Sequence, residues 1–102
     1  MTDLSISIVS YNNKNLLQTC LSTIFEHARG ISLEIFVVDN ASNDGSGAMV
    51  LEKFPSVRLI QNSENRYFAR ANNQALRQAQ GRYLLILNPD TYLTDNAFRV
   101  LI

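Results

Sequence analysis

The stretch YLLILNPDTYL, residues 83–93, decides the fold of this chain. Tyr83 to Leu87 are all aromatic or aliphatic, and they run straight into Asn88-Pro89-Asp90. A strand with one wet face alternates apolar and polar residues, and this one does not. Unbroken apolar strands belong to parallel sheets that are covered on both faces. Tyr83–Leu87 is therefore expected inside such a sheet, buried on both sides. Pro89 fixes its own φ and holds Asn88 in extended backbone. The strand thus ends by presenting a carboxamide and a carboxylate in a set orientation.

Working outward, the rest of the chain supplies the partners such a strand needs. Leu4 to Ser10, LSISIVS, is β-branched and alternating, which predicts a first strand. Asn12 or Asn13 can cap the helix that follows, in which Leu16, Leu17, Cys20, Leu21, Ile24, Phe25 and Ala28 recur at helical spacing. Gly30 closes it. Leu33 to Val38 predicts the second strand, and DNASNDGSG is turn chemistry. A short helix is expected from about Gly45 to Phe54, stopped by Pro55, with Asp44 as its cap. VRLIQ, from Val57, predicts a third strand, and its Arg58 suggests an edge. Phe68, Ala69, Ala71, Ala75, Leu76 and Ala79 mark a third helix that ends at Gly81. Thr94 or Asp95 can cap a last one. Strands alternating with helices predict an α/β fold, a Rossmann-like parallel sheet with helices on both faces.

The chain has 102 residues, which suits one domain. It is 46% hydrophobic and 18% charged, enough for a core and too apolar for disorder. Nine basic residues balance nine acidic ones, so no global field attracts nucleic acid. No run approaches the roughly 20 apolar residues of a membrane span. Met1-Thr2-Asp3 leads directly into a strand, so no signal peptide is expected. Cys20 is the only cysteine, so no internal disulfide forms, and a cytoplasmic setting is expected.

Right-handed crossovers bring all strand carboxyl ends to one edge, where ligands of such sheets bind. The first strand delivers Ser10, Tyr11 and Asn12 there, and the second delivers Asp39, Asn40 and Ser42. The third brings Asn62 and Asn65, and the fourth brings Asn88 and Asp90. Amides, carboxylates and an aromatic ring converge without a basic cluster. G-x-G-x-x-G and the P-loop motif are both missing. A phosphorelay receiver needs an acidic pair where Ser10-Tyr11-Asn12 stands. The lone His27 belongs to a helix end, where it suits the helix dipole, so a Ser/His/Asp set is excluded. Cys20 lies in an apolar stripe and reads as core.

SIVSYNN, LQTCLSTI, EIFVVDNASNDGS, NSEN, FARANNQAL and GRYLLILNPDTYL, in that order, resemble the inverting family 2 glycosyltransferases, and most of all the rhamnosyltransferase-like branch. The likeness covers nearly the whole chain. It implies a GT-A fold, a nucleotide-sugar donor carrying UDP or dTDP, and Mg²⁺ or Mn²⁺. The D-x-D metal motif of the family corresponds to Asn88-Pro89-Asp90, which makes Asp90 a metal ligand and Asn88 a second oxygen, direct or through water. Tyr11 would line the base pocket, with Ser10 beside it. Asp39 would accept from the imide N–H of uracil or thymine. Asn12, Asn40 and Ser42 are lesser candidates. Arg70 and Asn73 lie in the segment similar to the donor-contacting stretch of the family, with Arg70 in reach of a phosphate. Tyr67 stands where the resemblance implies glycine, so its ring narrows the donor site or closes over it. Ala75 also stands at a frequent glycine.

The same likeness implies a catalytic base, an Asp or Glu of the acceptor half, expected beyond Ile102. Residues 1–102 then form the donor part of a larger inverting enzyme that acts on a glycan or lipid-linked acceptor at the inner face of the membrane. By itself the chain is expected to bind donor without transferring sugar. It is also expected to dimerise through an exposed apolar sheet edge. The alternatives are a non-catalytic nucleotide-binding module, or a structural remnant that pairs with another chain.

Overall fold

The computed structural model describes residues 2–28 and 30–91. Seven elements follow in strict alternation: β1 (Leu4–Ser10), α1 (Lys14–His27), β2 (Leu33–Asn40), α2 (Ser46–Lys53), β3 (Arg58–Asn62), α3 (Tyr67–Leu76) and β4 (Tyr83–Leu87). The helix expected after Thr94 or Asp95 lies outside the described residues. All neighbouring strands are parallel, in the order β3-β2-β1-β4. The order runs outward from β1 to β3 and then reverses to place β4 on the other side, so the switch point lies between β1 and β4.

The alternating side chains of the strands build two cores. On one face Ile6, Ile8, Ile35 and Val37 meet Leu17, Leu21 and Ile24 of α1 and Val50 of α2. On the other, Phe36 and Val38 meet Ala71 and Ala75 of α3. Each large aliphatic side chain buried this way contributes about 1.5–3 kcal/mol. At the outer edge, the Arg58 guanidinium lies 5.6 Å from the centre of the Phe36 ring, in keeping with the edge position its charge suggests.

β4 departs from the expectation drawn from its sequence. Leu85 and Leu87 pack against the α1 core, but Tyr83, Leu84 and Ile86 are 45%, 55% and 45% exposed. For Leu84 and Ile86 the reason is the placement of α3, which crosses β2 and β1 and leaves that face of β4 open. Among the described residues β4 is an edge strand covered on one face only.

Two boundaries also differ. β2 continues past Val38 to Asn40, because Asp39 and Asn40 still pair with Gln61 and Asn62 of β3. α3 ends at Leu76 instead of Gly81, since the chain tightens there, with Gln78 N–H bonded to Ala75 C=O and Ala79 N–H to Leu76 C=O. It then drops into β4 at Gly81, where a Cβ would stand 2.5 Å from the Ser5 backbone nitrogen. Only glycine permits that approach. The Ser5 hydroxyl donates to Glu34 (2.6 Å) and accepts from Gly81 N–H (2.7 Å). Gln80 N–H also bonds Glu34. Desolvation pushes the Glu34 carboxyl up, but the bonds from Gln80 and Ser5, with Arg58 nearby, outweigh it and hold the group below its ordinary value.

Candidate functional site

The carboxyl edge of the sheet is built on hydrogen bonds that reach between loops. Ser10, the last residue of β1, pairs in register with Asp39 of β2. Its hydroxyl is buried and has no partner among the described residues. Tyr11 follows and leaves its ring half exposed, at 49%. Asn12 turns the chain at φ 52°, a conformation that asparagine tolerates. Its N–H donates to the Ser42 hydroxyl (2.8 Å), and its Oδ1 accepts from Asn43 N–H (2.9 Å).

Asp39 is the centre of this network. It is 4% exposed, and its carboxylate accepts from the Ser42 hydroxyl on one oxygen and from the Ser42 N–H (3.3 Å) on the other. Ala41, at φ 62°, bends the chain so that Ser42 can fold back onto Asp39. A carboxylate offers about four acceptor positions, so Ser42 leaves roughly half of them for another donor.

The helix caps differ from the sequence reading. Neither Asn12 nor Asn13 caps α1 with its side chain. Asp44 does so from the β2–α2 loop, accepting Lys14 N–H on Oδ2 (3.0 Å) while Oδ1 accepts Ser46 N–H (3.0 Å) and the Ser46 hydroxyl. One carboxylate thereby satisfies orphan donors at the start of two helices and suits the positive end of both dipoles. Desolvation pushes Asp44 up, and the bonds from Ser46 and Lys14 outweigh it, so the group lies below its ordinary value. A depressed carboxyl stabilises the fold above its unfolded pKa, and that stability is lost as pH falls through the folded one. Asp44→Ala is expected to cost about 1–2 kcal/mol at pH 7. The difference from wild type should shrink toward zero below about pH 4 as the wild-type carboxyl protonates. Urea unfolding of both proteins from pH 7 to pH 3 checks this, and equal stability at pH 7 would refute it. Asn12 to Leu16 and Asp44 together line an open cleft of about 420 Å³ beside the α1 N-terminus.

Asn40 sits on the opposite face and is 2% exposed. Its Oδ1 accepts from the Asn62 amide (2.9 Å) and from Arg66 N–H (3.3 Å), and its Nδ2 donates to the Tyr67 carbonyl (3.4 Å). Asn62 and Gln74 exchange two further bonds, at 2.8 and 2.9 Å. The side chain of Asn40 is thus spent inside the protein, where it ties β2 and β3 to the start of α3. Asn72 of α3 is also buried and accepts from the Ser7 hydroxyl (2.7 Å). Arg70 and Asn73 share a cleft of about 220 Å³ with Arg66, Gln74 and Arg77. That cleft runs along α3 on the β3 side, where Gln74 bonds Asn62, and the structure does not bring Arg70 to the β1–β4 crevice.

Asn88 and Asp90 are exposed beyond β4, in a turn closed by Thr91 N–H on the Asn88 carbonyl (3.0 Å). Ile8 pairs with Leu87, so the turn leaves the sheet beside Ser10 and Tyr11, across the switch point. Cys20 lies beneath it, its thiol 4.0 Å from the Asn88 carbonyl. Burial, and then the nearby Asp90 carboxylate, pushes that thiol up to about 11, which leaves it protonated and inert at neutral pH. Among the described residues no group of three His, Cys, Asp or Glu side chains could hold a metal by itself.

This architecture defines a Rossmann-like α/β domain whose polar edge spans three strands around a topological switch point. The chain belongs to glycosyl transferase family 2, whose model matches residues 5–102. It is 31% identical over 93 residues to the UDP-Glc:alpha-D-GlcNAc-diphosphoundecaprenol beta-1,3-glucosyltransferase WfgD of Escherichia coli, covering 88% of this chain and 36% of that protein. Among solved structures it superposes on the mannosyltransferase PcManGT of Pyrobaculum calidifontis in complex with GDP-Man and Mn²⁺. The TM-score is 0.83 at 30% identity, over 93% of this chain and 30% of that one. It also superposes on residues 1–349 of Staphylococcus aureus TarS in complex with UDP-GlcNAc, with a TM-score of 0.87 at 22% identity, over 98% of this chain and 30% of that one. These neighbours confirm the GT-A type of fold. The chain spans about a third of the length of WfgD and of each of these two matched chains.

Proposed function

We propose that this chain binds a nucleoside-diphosphate sugar, carrying UDP or dTDP, across the carboxyl ends of β2, β1 and β4, as the donor side of an inverting glycosyltransferase. The observation that carries the reading is the placement of Asp39 and Asp90 on either side of β1, with the exposed Tyr11 between them. Asp39 takes the imide N–H of the base with the acceptor capacity that Ser42 leaves. A base without a donor at that position leaves the carboxylate unpaired, which is the source of selectivity. Tyr11 borders the base and ribose, and Ser10 offers a buried hydroxyl beside Asp39. Asn12 holds the two loops together through Ser42 and Asn43. Arg70 and Asn73 serve the donor only at the outer side of α3, and Asn40 serves it indirectly by fixing the α3 N-terminus.

The diphosphate lies at Asn88 and Asp90. One exposed carboxylate and one amide oxygen fit Mg²⁺ or Mn²⁺, a hard cation that Asp90 and Asn88 would hold. They do not fit a closed zinc site, which needs four protein ligands. The ion, when bound, neutralises the charge that develops on the departing diphosphate. Proline and the Thr91–Asn88 backbone bond fix the turn that carries the two side chains.

We assign donor binding to these residues and acceptor activation to none of them. A base from the acceptor side removes the proton of the attacking hydroxyl, which attacks the anomeric carbon from the face opposite the diphosphate, hence inversion. General-base assistance of this kind is worth roughly 10²–10⁴-fold. The acceptor is a glycan or lipid-linked sugar at the cytoplasmic side of a membrane. WfgD, whose name specifies a diphosphoundecaprenol acceptor, supports that class. Calorimetric titration with UDP, dTDP and AMP in excess Mg²⁺ tests the reading. Binding of UDP or dTDP in preference to AMP is expected, and failure of both to bind would overturn it.

A further inference from the structure

We propose that Tyr67 is a stacking platform for the nucleobase of the donor and that Asn40 is the residue that positions it. The inference rests on the donor-binding reading above and adds a contact to it. Tyr67 begins α3 with φ 60°, in the left-handed region that glycine occupies freely and bulky side chains avoid. Its side chain is 77% exposed, more than any other large apolar or aromatic residue described. The strain is therefore not offset by burial of the ring. A chain that needed only the turn would be served better by glycine or asparagine. Backbone strain of this kind persists where the surroundings over-determine it, often at binding sites.

The surroundings here do so. Asn40 grips the backbone on both sides of the strained residue, accepting from Arg66 N–H and donating to the Tyr67 carbonyl. Tyr67 N–H donates to the Asn65 side chain (2.8 Å). Asn40 is itself locked by Asn62, which Gln74 locks in turn. This chain of amides ends at the residue that follows Asp39, the acceptor for the imide N–H. The base end of the donor, and not its sugar end, is therefore the part within reach, since Asp90 lies two strands away across β1. Tyr67 then stands at the β2 tip on the Asn40 face, and a base bonded to Asp39 reaches over that tip to stack on it. A π-face binds any base, so Tyr67 adds affinity while Asp39 sets identity.

The test compares wild type, Tyr67→Phe and Tyr67→Gly for binding of UDP and of inorganic pyrophosphate in excess Mg²⁺. Tyr67→Gly should weaken UDP binding roughly 5- to 100-fold, the range for losing one stacked base. Tyr67→Phe should keep wild-type affinity, and pyrophosphate binding should not change in either variant. The unfolding midpoint of Tyr67→Gly without ligand should be no lower than that of wild type, because glycine relieves the strained φ. Unchanged UDP affinity, an equal loss for pyrophosphate, or a lowered midpoint would each overturn the platform while leaving donor binding intact. If wild type binds no UDP or dTDP, the donor reading fails and this inference fails with it.

Discussion

Asp90→Asn removes the metal dependence of nucleoside diphosphate binding. In the wild-type chain, Mg²⁺ or Mn²⁺ should tighten UDP binding roughly 10- to 100-fold over excess EDTA, since a hard cation held at Asp90 would offset the charge of the diphosphate. The asparagine variant keeps the shape of the turn and loses the charge, so both conditions should give the same weak affinity. Asp90 is exposed, and substitutions at such positions usually change stability by no more than about 0.5 kcal/mol. A loss of metal response therefore reports ligation and not unfolding. Calorimetry in Mg²⁺ and in EDTA decides the matter, and wild-type UDP binding that is indifferent to EDTA would remove Asp90 from the metal site.

Asp39→Ala weakens UDP or dTDP binding by about 1–3 kcal/mol, the cost of losing a hydrogen bond to a charged group. The substitution also releases Ser42, which Asp39 holds through hydroxyl and N–H. Asp39→Asn separates the two effects. The amide oxygen can still hold Ser42, but it replaces one of the two carboxylate oxygens with a donor, and a donor facing the imide N–H repels it. Asn should therefore fold like wild type and still lose most of the affinity. Equal UDP affinity for wild type and both variants would refute the assignment of the base to this carboxylate.

Much of this edge is legible in the sequence because the fold repeats a local rule. β1, β2 and β4 each carry apolar residues that give way to polar ones at the tip, so the pattern places Tyr11, Asp39 and Asp90 at strand tips without any knowledge of long-range contacts. What periodicity cannot carry is which strand lies beside which. YLLIL reads as doubly buried, yet Leu84 and Ile86 are exposed because α3 covers β1 and β2 and not β4. Asparagines are ambiguous for a similar reason. Asn40 and Asn12 both sit at strand ends, but Asn40 is turned inward onto Asn62 and the α3 N-terminus, and Asn12 outward onto the β2 loop. Asp44 reads as the cap of one helix, and its second partner, Lys14, lies 30 residues earlier. Tyr67 does leave a signal, an aromatic residue where the resemblance implies glycine, and its positive φ gives that departure a physical meaning.

A nucleoside diphosphate is expected to lie across the carboxyl ends of β2, β1 and β4. Amide chemical-shift mapping tests it most directly, with ¹⁵N-labelled chain titrated with UDP in excess Mg²⁺. Saturable shifts are expected at Tyr11 to Asn13, Asp39 to Asp44, Tyr67, Asn88 and Asp90. Shifts confined to the opposite edge, around Gly30 to Ser32 and Gly81, or no saturable shifts at all, would contradict it.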